Sequence, residues 1–199
     1  MVKEKIIKIC EDFKITNYKI NDDGTIDVDG NVNLSCQGLI QIPLNFNKVN
    51  GNFNCRSNYL TSLQNCPNYV GGDFNCEENI LITLKGCPKI VMNNFICEDN
   101  KLKTLKYSPI YVGDSFYCSF NSLSSLLHSP KIIFGEFSAN VNKLTSLSGC
   151  PEVIICDFYC FRNKLRSLKG IGKVNGKIIA DNGLAEQYLR DLVIKNILE

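Results

Sequence analysis

The sequence is short of histidine, of net charge and of long apolar runs, and each shortage removes a class of function. A single histidine, His128, stands among 199 residues, and no C-x-x-C pair is present. A zinc site built from closely spaced ligands is therefore not expected. Lys and Arg number 22 against 20 Asp and Glu, a formal charge of +2. That balance argues against a nucleic-acid binder resting on phosphate neutralisation unless the cations cluster, and along the sequence they do not. No apolar run approaches the roughly 20 residues of a membrane-spanning helix. The opening Met1-Val-Lys-Glu-Lys-Ile-Ile-Lys-Ile-Cys10 mixes charge into its apolar residues and lacks the core of a secretion signal. Gly-rich phosphate loops, H-E-x-x-H and G-x-S-x-G are also missing. The expectation is a cytoplasmic, soluble, non-enzymatic chain with no cofactor, no metal, and no nucleic-acid or membrane partner.

A period is what the sequence has instead, and a fixed period governs every later inference. An aromatic recurs at Phe53, Phe74, Phe95, Phe116, Phe137 and Phe158, each step being 21 residues. Val32, Leu34, Leu39 and Ile42 form a degenerate first copy. The consensus is F-x-C-x-x-N-x-L-x-S-L-x-x-C-P-x-x-V. Phe53 and Cys55 would share one side of a strand while Asn52, Asn54 and Arg56 face the other. Stacked coils would form a parallel ladder at ~4.8 Å per step. The asparagine column Asn58, Asn79, Asn100, Asn121, Asn142 and Asn163 marks a tight buried turn whose backbone groups need partners. Leu60 and Leu63, with their equivalents, fill the core, and Pro67, Pro88, Pro109, Pro130 and Pro151 hold the far segment extended.

The middle of the consensus, φ-x-φ-x-x-N-x-L, matches the core of the leucine-rich repeat. From about Val32 to Leu184 the chain resembles the leucine-rich repeat family, in the short bacterial form found in secreted effectors. Phe and Cys replace the usual Leu or Val pair, which should alter core packing. Val70, Val91 and Val112 lie four places before the Phe instead of three, which implies an extra residue in that turn. Asn21-Asp-Asp-Gly-Thr-Ile-Asp-Val-Asp-Gly-Asn-Val-Asn-Leu-Ser35 and the repeats after it are also similar to repeat proteins encoded by bacteriophages, a likeness that carries no activity with it.

The fold class expected is an α/β solenoid, a right-handed leucine-rich-repeat-like coil with a parallel concave sheet, a mostly irregular convex side and a capping helix at each end. Residues 1–30 form the N-terminal cap. Ile6, Ile9, Cys10 and Phe13 share one helical face, and Tyr18 to Val28 read as a hairpin around Asp23-Gly24. Residues 31–178 form seven 21-residue repeats, and 179–199 form a C-terminal capping helix. Asn182 is its N-cap, and Ala185, Leu189, Leu192, Val193 and Ile197 are its apolar stripe. With both ends closed, the chain is expected to be a complete protein.

Four candidate chemistries carry bland explanations. Eleven cysteines could be a disulfide framework or metal ligands. Leu34 and Ala139 share the column of Cys55, Cys76, Cys97, Cys118 and Cys160, so that column reads as a small buried apolar slot holding free thiols in a reducing compartment. The acidic run from Asn21 to Gly30 puts Lys19 and Gly30 at the two ligand positions that define a calcium loop, so a hairpin explains it better. Asn33-Leu-Ser35 is a glycosylation triplet without an export signal. His128 beside Ser125 and Ser129 lacks the nucleophile, base and orienter of a catalytic set.

The concave face remains. Its columns run polar, then acidic, then aromatic from the N-terminal to the C-terminal coils. Tyr117, Phe120, Tyr159 and Phe161 are the expected apolar anchors for a protein partner, with Ile96 at their edge and Glu77, Glu98 and Asp99 steering a basic surface. The leading expectation is a protein–protein interaction module, phage-encoded by resemblance and acting on a host protein. The alternatives are a secreted effector or scaffold of leucine-rich-repeat type, and a thiol-dependent enzyme.

Overall fold

The computed structural model describes residues 2–181 and 183–198, and it is a parallel β-solenoid of about seven turns with one helix at each end. Helix α1 spans Val2–Asp12, and the hairpin strands Tyr18–Ile20 and Ile26–Val28 pair antiparallel. Eight two-residue strands among the described residues, from Val32–Asn33 to Ile178–Ile179, then stack in parallel as the long sheet. Its register follows the period, with Phe53 beside Phe74, Phe74 beside Phe95 and Phe116 beside Phe137.

The phenylalanines explain why the register holds. From Phe46 to Phe158 each ring packs on the next at 5.0 to 5.8 Å between centroids, all fully or almost fully buried. A slip of one residue would turn this column out to water. Cys55, Cys76, Cys97, Cys118, Ala139 and Cys160 fill the slot beside it with no exposed surface. All eleven cysteines are free thiols.

The asparagine column does what the tight turn requires. Leu102 donates its amide to Asn121 Oδ1 at 2.9 Å, while Asn121 Nδ2 donates to the carbonyls of Cys97, Cys118 and Ser119 at 3.0, 3.2 and 3.1 Å. One side chain thus ties its own coil to the one before it. Asn79, Asn100 and Asn142 repeat this pattern. The residue preceding each asparagine is left-handed, from Ser57 (φ 54°) through Phe120 (φ 54°) and Val141 (φ 51°) to Arg162 (φ 54°), and Cys36 (φ 57°), before Gln37, takes the same conformation in the first coil. A second left-handed column holds Asn65, Gly86, Tyr107, His128, Gly149 and Gly170. His128 therefore occupies a turn position otherwise filled mostly by glycine, which accounts for it without chemistry.

The far side is more ordered than the sequence pattern implies. Behind each buried proline a dipeptide such as Tyr69–Val70, Ile90–Val91 or Tyr111–Val112 adds to a second parallel ladder that grows from the hairpin. Apolar residues point inward and their neighbours outward, in strands too short to show alternation by themselves. The turn between the two ladders is close-packed: a Cβ on Gly113 would lie 2.0 Å from the Met92 carbonyl oxygen. The second ladder parts once, between Tyr111–Val112 and Ile132–Ile133, and resumes as a three-stranded sheet. The last coil is one residue short, with Ile178 beside Phe158 where the period would place residue 179.

Helix α2 spans Leu184–Leu198, where a helix was expected. Asn182, its expected N-cap, lies outside the described residues. The expected apolar stripe is corrected: among the described side chains of α2 only Leu184 and Ala185 are buried, whereas Leu189, Leu192, Val193 and Ile197 are exposed, Ile197 to 75%. The coil beneath offers half-buried Val174, Ile178 and Ala180, and a gap of about 750 Å³ separates it from the helix. The packing surface ends before the helix does.

Replacing Asn121 with alanine should cost about 3 kcal/mol, because it strands the Leu102 amide and several buried carbonyls. Asn163→Ala should cost only about 1 kcal/mol, since that turn is partly exposed. Denaturant unfolding of both variants checks the order.

Candidate interaction surfaces

The outward side of the long sheet carries all eight residues expected to bind a partner. Tyr117, Ser138 and Tyr159 are successive members of one column, so the two tyrosines stand two strands apart over a buried serine. Phe161 lies two residues beyond Tyr159, and Phe120 occupies a left-handed turn position at 53% exposure. Tyr117, Tyr159, Phe161 and Ile96 are half-buried. The four aromatics do lie on one face, within three coils.

Their hydroxyls are not free. Tyr117 Oη donates to Glu136 Oε2 and Tyr159 Oη to Asp157 Oδ2, both at 3.2 Å. Burial, with the carboxylates beside them, holds both phenols above their ordinary pKa. Glu136 and Asp157 were not expected at the site because their position, just before the buried phenylalanine, holds Asn52, Asp73, Asn94 and Ser115 in other coils and shows no constant charge. Tyr117 and Glu136 are 19 residues apart and meet only through the stacking.

The acidic part of the face is partly self-neutralised. Arg56 reaches Glu78 at 3.0 Å and Glu77 at 3.8 Å, and Ser57 Oγ donates to Glu78. The serine bond first, and then Arg56, hold the Glu78 carboxyl below its usual range. Asp99 is exposed, and Glu98 is half-buried, its carboxyl pushed up by burial. Asp99 is thus the most open of the three expected steering acids.

The 21-residue register also sorts charge, which the linear sequence hides. Segments 59–65, 80–86, 101–107, 122–128, 143–149 and 164–170 stack as one side of the coil, tied by bonds such as Lys101 N to Leu81 O and Lys143 N to Leu123 O, both 2.9 Å. These segments contain eight cations, Lys85, Lys101, Lys103, Lys106, Lys143, Lys164, Arg166 and Lys169, and no carboxylate. Every coil carboxylate except Glu152 lies instead in the segments entering or leaving the long sheet.

A second apolar surface, absent from the sequence reading, lies where the second ladder parts. Tyr107, Ile110, Tyr111, Ile132 and Phe134 line a cleft of about 620 Å³ and all are exposed, Ile110 to 78%. The Tyr111 and Phe134 rings sit 5.9 Å apart across the break. The signal was present as apolar residues at outward positions of adjacent coils, but recognising them needed the second ladder.

Catalytic chemistry finds little support in the thiols. Burial pushes Cys76 and Cys97 well above the ordinary thiol range, Cys87 and Cys160 to about 12 and Cys150 to about 11. A nucleophilic thiol needs the opposite shift. Among the described residues, no group of three or more His, Cys, Asp or Glu is placed to hold a metal ion, and no helix is long and apolar enough to cross a membrane. No protein-family model matches the chain, and neither does any curated protein.

Two measurements check this electrostatic account. Cys36 and Cys156 are exposed and should react with a thiol reagent at once, while the seven buried cysteines react only as the protein unfolds. A single buried thiol reacting fast in the native protein would revive the thiol-enzyme reading. The second concerns Glu98, whose raised pKa means that its ionised form opposes folding. That penalty is absent below the unfolded-state value of ~4.3 and complete above the folded-state value. Glu98→Gln should therefore raise the melting temperature at pH 7 and leave it unchanged at pH 3; an equal gain at both would contradict the assignment.

Proposed function

We propose that this chain is a non-enzymatic protein-binding module of leucine-rich-repeat type that engages its partner through the outward side of the long sheet. The observation that carries the reading is Phe120. Its column must be left-handed in every coil for the asparagine turn to close, and a bulky aromatic is a poor occupant of that conformation. Its side chain is also more than half exposed, so core packing does not repay the strain. An exposed aromatic held at cost in a position that Cys, Ser, Glu, Asp, Val or Arg fills in the other coils supports use in recognition.

Tyr117, Tyr159, Phe161 and Ile96 share that side with Phe120 as the apolar part of the contact. Asp99, with Glu77 and Glu98, favours a partner that presents cations. The resemblance to phage-encoded repeat proteins supports a host protein as that partner, and the reducing environment suited to eleven free thiols supports a cytoplasmic encounter.

Phe120→Gly separates binding from folding. Glycine takes the left-handed turn freely, so stability should rise by about 0.5–1 kcal/mol. Affinity for a partner captured with the intact protein should fall about 30-fold or more, mostly through faster dissociation, as expected for a loss of ~2 kcal/mol at an anchor. Unchanged affinity for Phe120→Gly, together with loss of binding for Tyr111→Ala, would move the site to the opposite side.

A further inference from the structure

The cleft at the parted second ladder and the cationic side of the coil lie next to each other, and Tyr107 belongs to both. We propose that together they form a second docking surface, for an acidic peptide segment carrying an aromatic or branched aliphatic anchor. This inference does not depend on the long-sheet reading, which concerns the other side of the coil and the opposite charge.

Three observations carry it. First, the second ladder loses its strand pairing between Tyr111–Val112 and Ile132–Ile133, although Gly113 N donates to Val91 O at 2.9 Å before the break and Ile155 N to Ile133 O at 2.9 Å after it. The cleft thus falls where the ladder opens between two coils that stay joined by Gly135 N to Asp114 O at 3.0 Å and by the long sheet. Second, its walls are the exposed faces of Ile110, Tyr111, Ile132 and Phe134, a concentration of apolar surface that a single solvated coil does not need. Third, its surroundings are cationic. The lining contains no carboxylate, Lys106 covers the Tyr107 ring at 5.2 Å, and Lys101 and Lys103 stand exposed on the same coil as Lys106. No salt bridge joins any of the eight cations of that side to a described residue, whereas Lys131, in the cleft lining, is paired with Glu152 at 2.8 Å, so the unpaired charge comes from the lysines beside the cleft.

Like charges brought together without counter-charges repel one another, so this arrangement favours an anionic partner. Nucleic acid and anionic membrane would both satisfy the lysines. Neither explains a discrete cleft with aromatic walls, because phosphate contacts want donors and a bilayer wants a protruding apolar face. A peptide with acidic flanks and one apolar side chain uses both parts, the cleft for dwell time and the lysines for encounter rate.

The test uses fluorescence anisotropy of the full chain with a labelled twelve-residue Asp/Glu peptide carrying one central Phe. The same peptide with Ser in place of Phe, a random duplex oligonucleotide and phosphatidylserine vesicles serve as comparisons. The Phe peptide should bind, and its Ser counterpart about tenfold or more weakly. Binding should weaken with salt. Tyr111→Ser with Phe134→Ser should remove the difference between the two peptides, and Lys101→Glu with Lys103→Glu should weaken both alike. Melting curves of each variant confirm that the fold is retained. Phe120→Gly should leave this binding unchanged, which separates it from the long-sheet site. No binding up to 1 mM peptide, equal binding of the Phe and Ser peptides, or tighter binding of duplex or vesicles would overturn the proposal.

Discussion

Everything outward on this protein depends on a buried amide. Each asparagine of the repeated column accepts an amide hydrogen bond from the preceding coil and returns its own hydrogens to carbonyls of both coils, as Asn100 does with Leu81, Cys76 and Glu98. The turn there folds sharply inward, where water cannot satisfy the backbone, and a left-handed residue is needed to make the bend. An aspartate lacks the donors and a leucine lacks both functions. With the asparagine in place, the coil length is fixed, the phenylalanine rings meet, and each side chain falls into a column determined by its position in the period.

Columns that face inward are narrowly restricted, and columns that face outward are free to vary. That freedom has been used unevenly. One side of the coil collects cations, the long sheet collects carboxylates and then aromatics, and the broken second ladder exposes isoleucine, tyrosine and phenylalanine. Formal charge near zero conceals this segregation, because opposite signs on different sides cancel in the sum. Electrostatic attraction at contact range follows the local arrangement rather than the total.

The inward columns were readable from the sequence because their physics repeats: the phenylalanine step, the small slot shared by Cys, Ala and Leu, the asparagine ladder, and the helix and hairpin at the start. The second ladder was not, since dipeptides such as Tyr111–Val112 carry no periodicity of their own and pair only with neighbours 21 residues away. The cationic side was missed for the same reason, as Lys101, Lys143 and Lys164 are distant in sequence and become neighbours only by stacking. The four aromatics and their acidic neighbours were readable as outward residues, but the pairing of Tyr117 with Glu136 and of Glu77 with Arg56 depends on contacts between coils. For α2, the apolar pattern gave the helix but not its burial, which depends on how far the coil beneath extends.

Hydrogen exchange at the amides bound by the asparagine side chains tests the central claim most directly. Leu60, Leu81, Leu102 and Leu123 donate to Asn79, Asn100, Asn121 and Asn142, each at 2.9 Å. If these bonds hold the coils together, the four amides exchange only when the whole solenoid opens, with one common free energy equal to that of global unfolding. Exchange of these four near the free-peptide rate, while the phenylalanine amides stay protected, would contradict the account, since the coils would then be held without their asparagines.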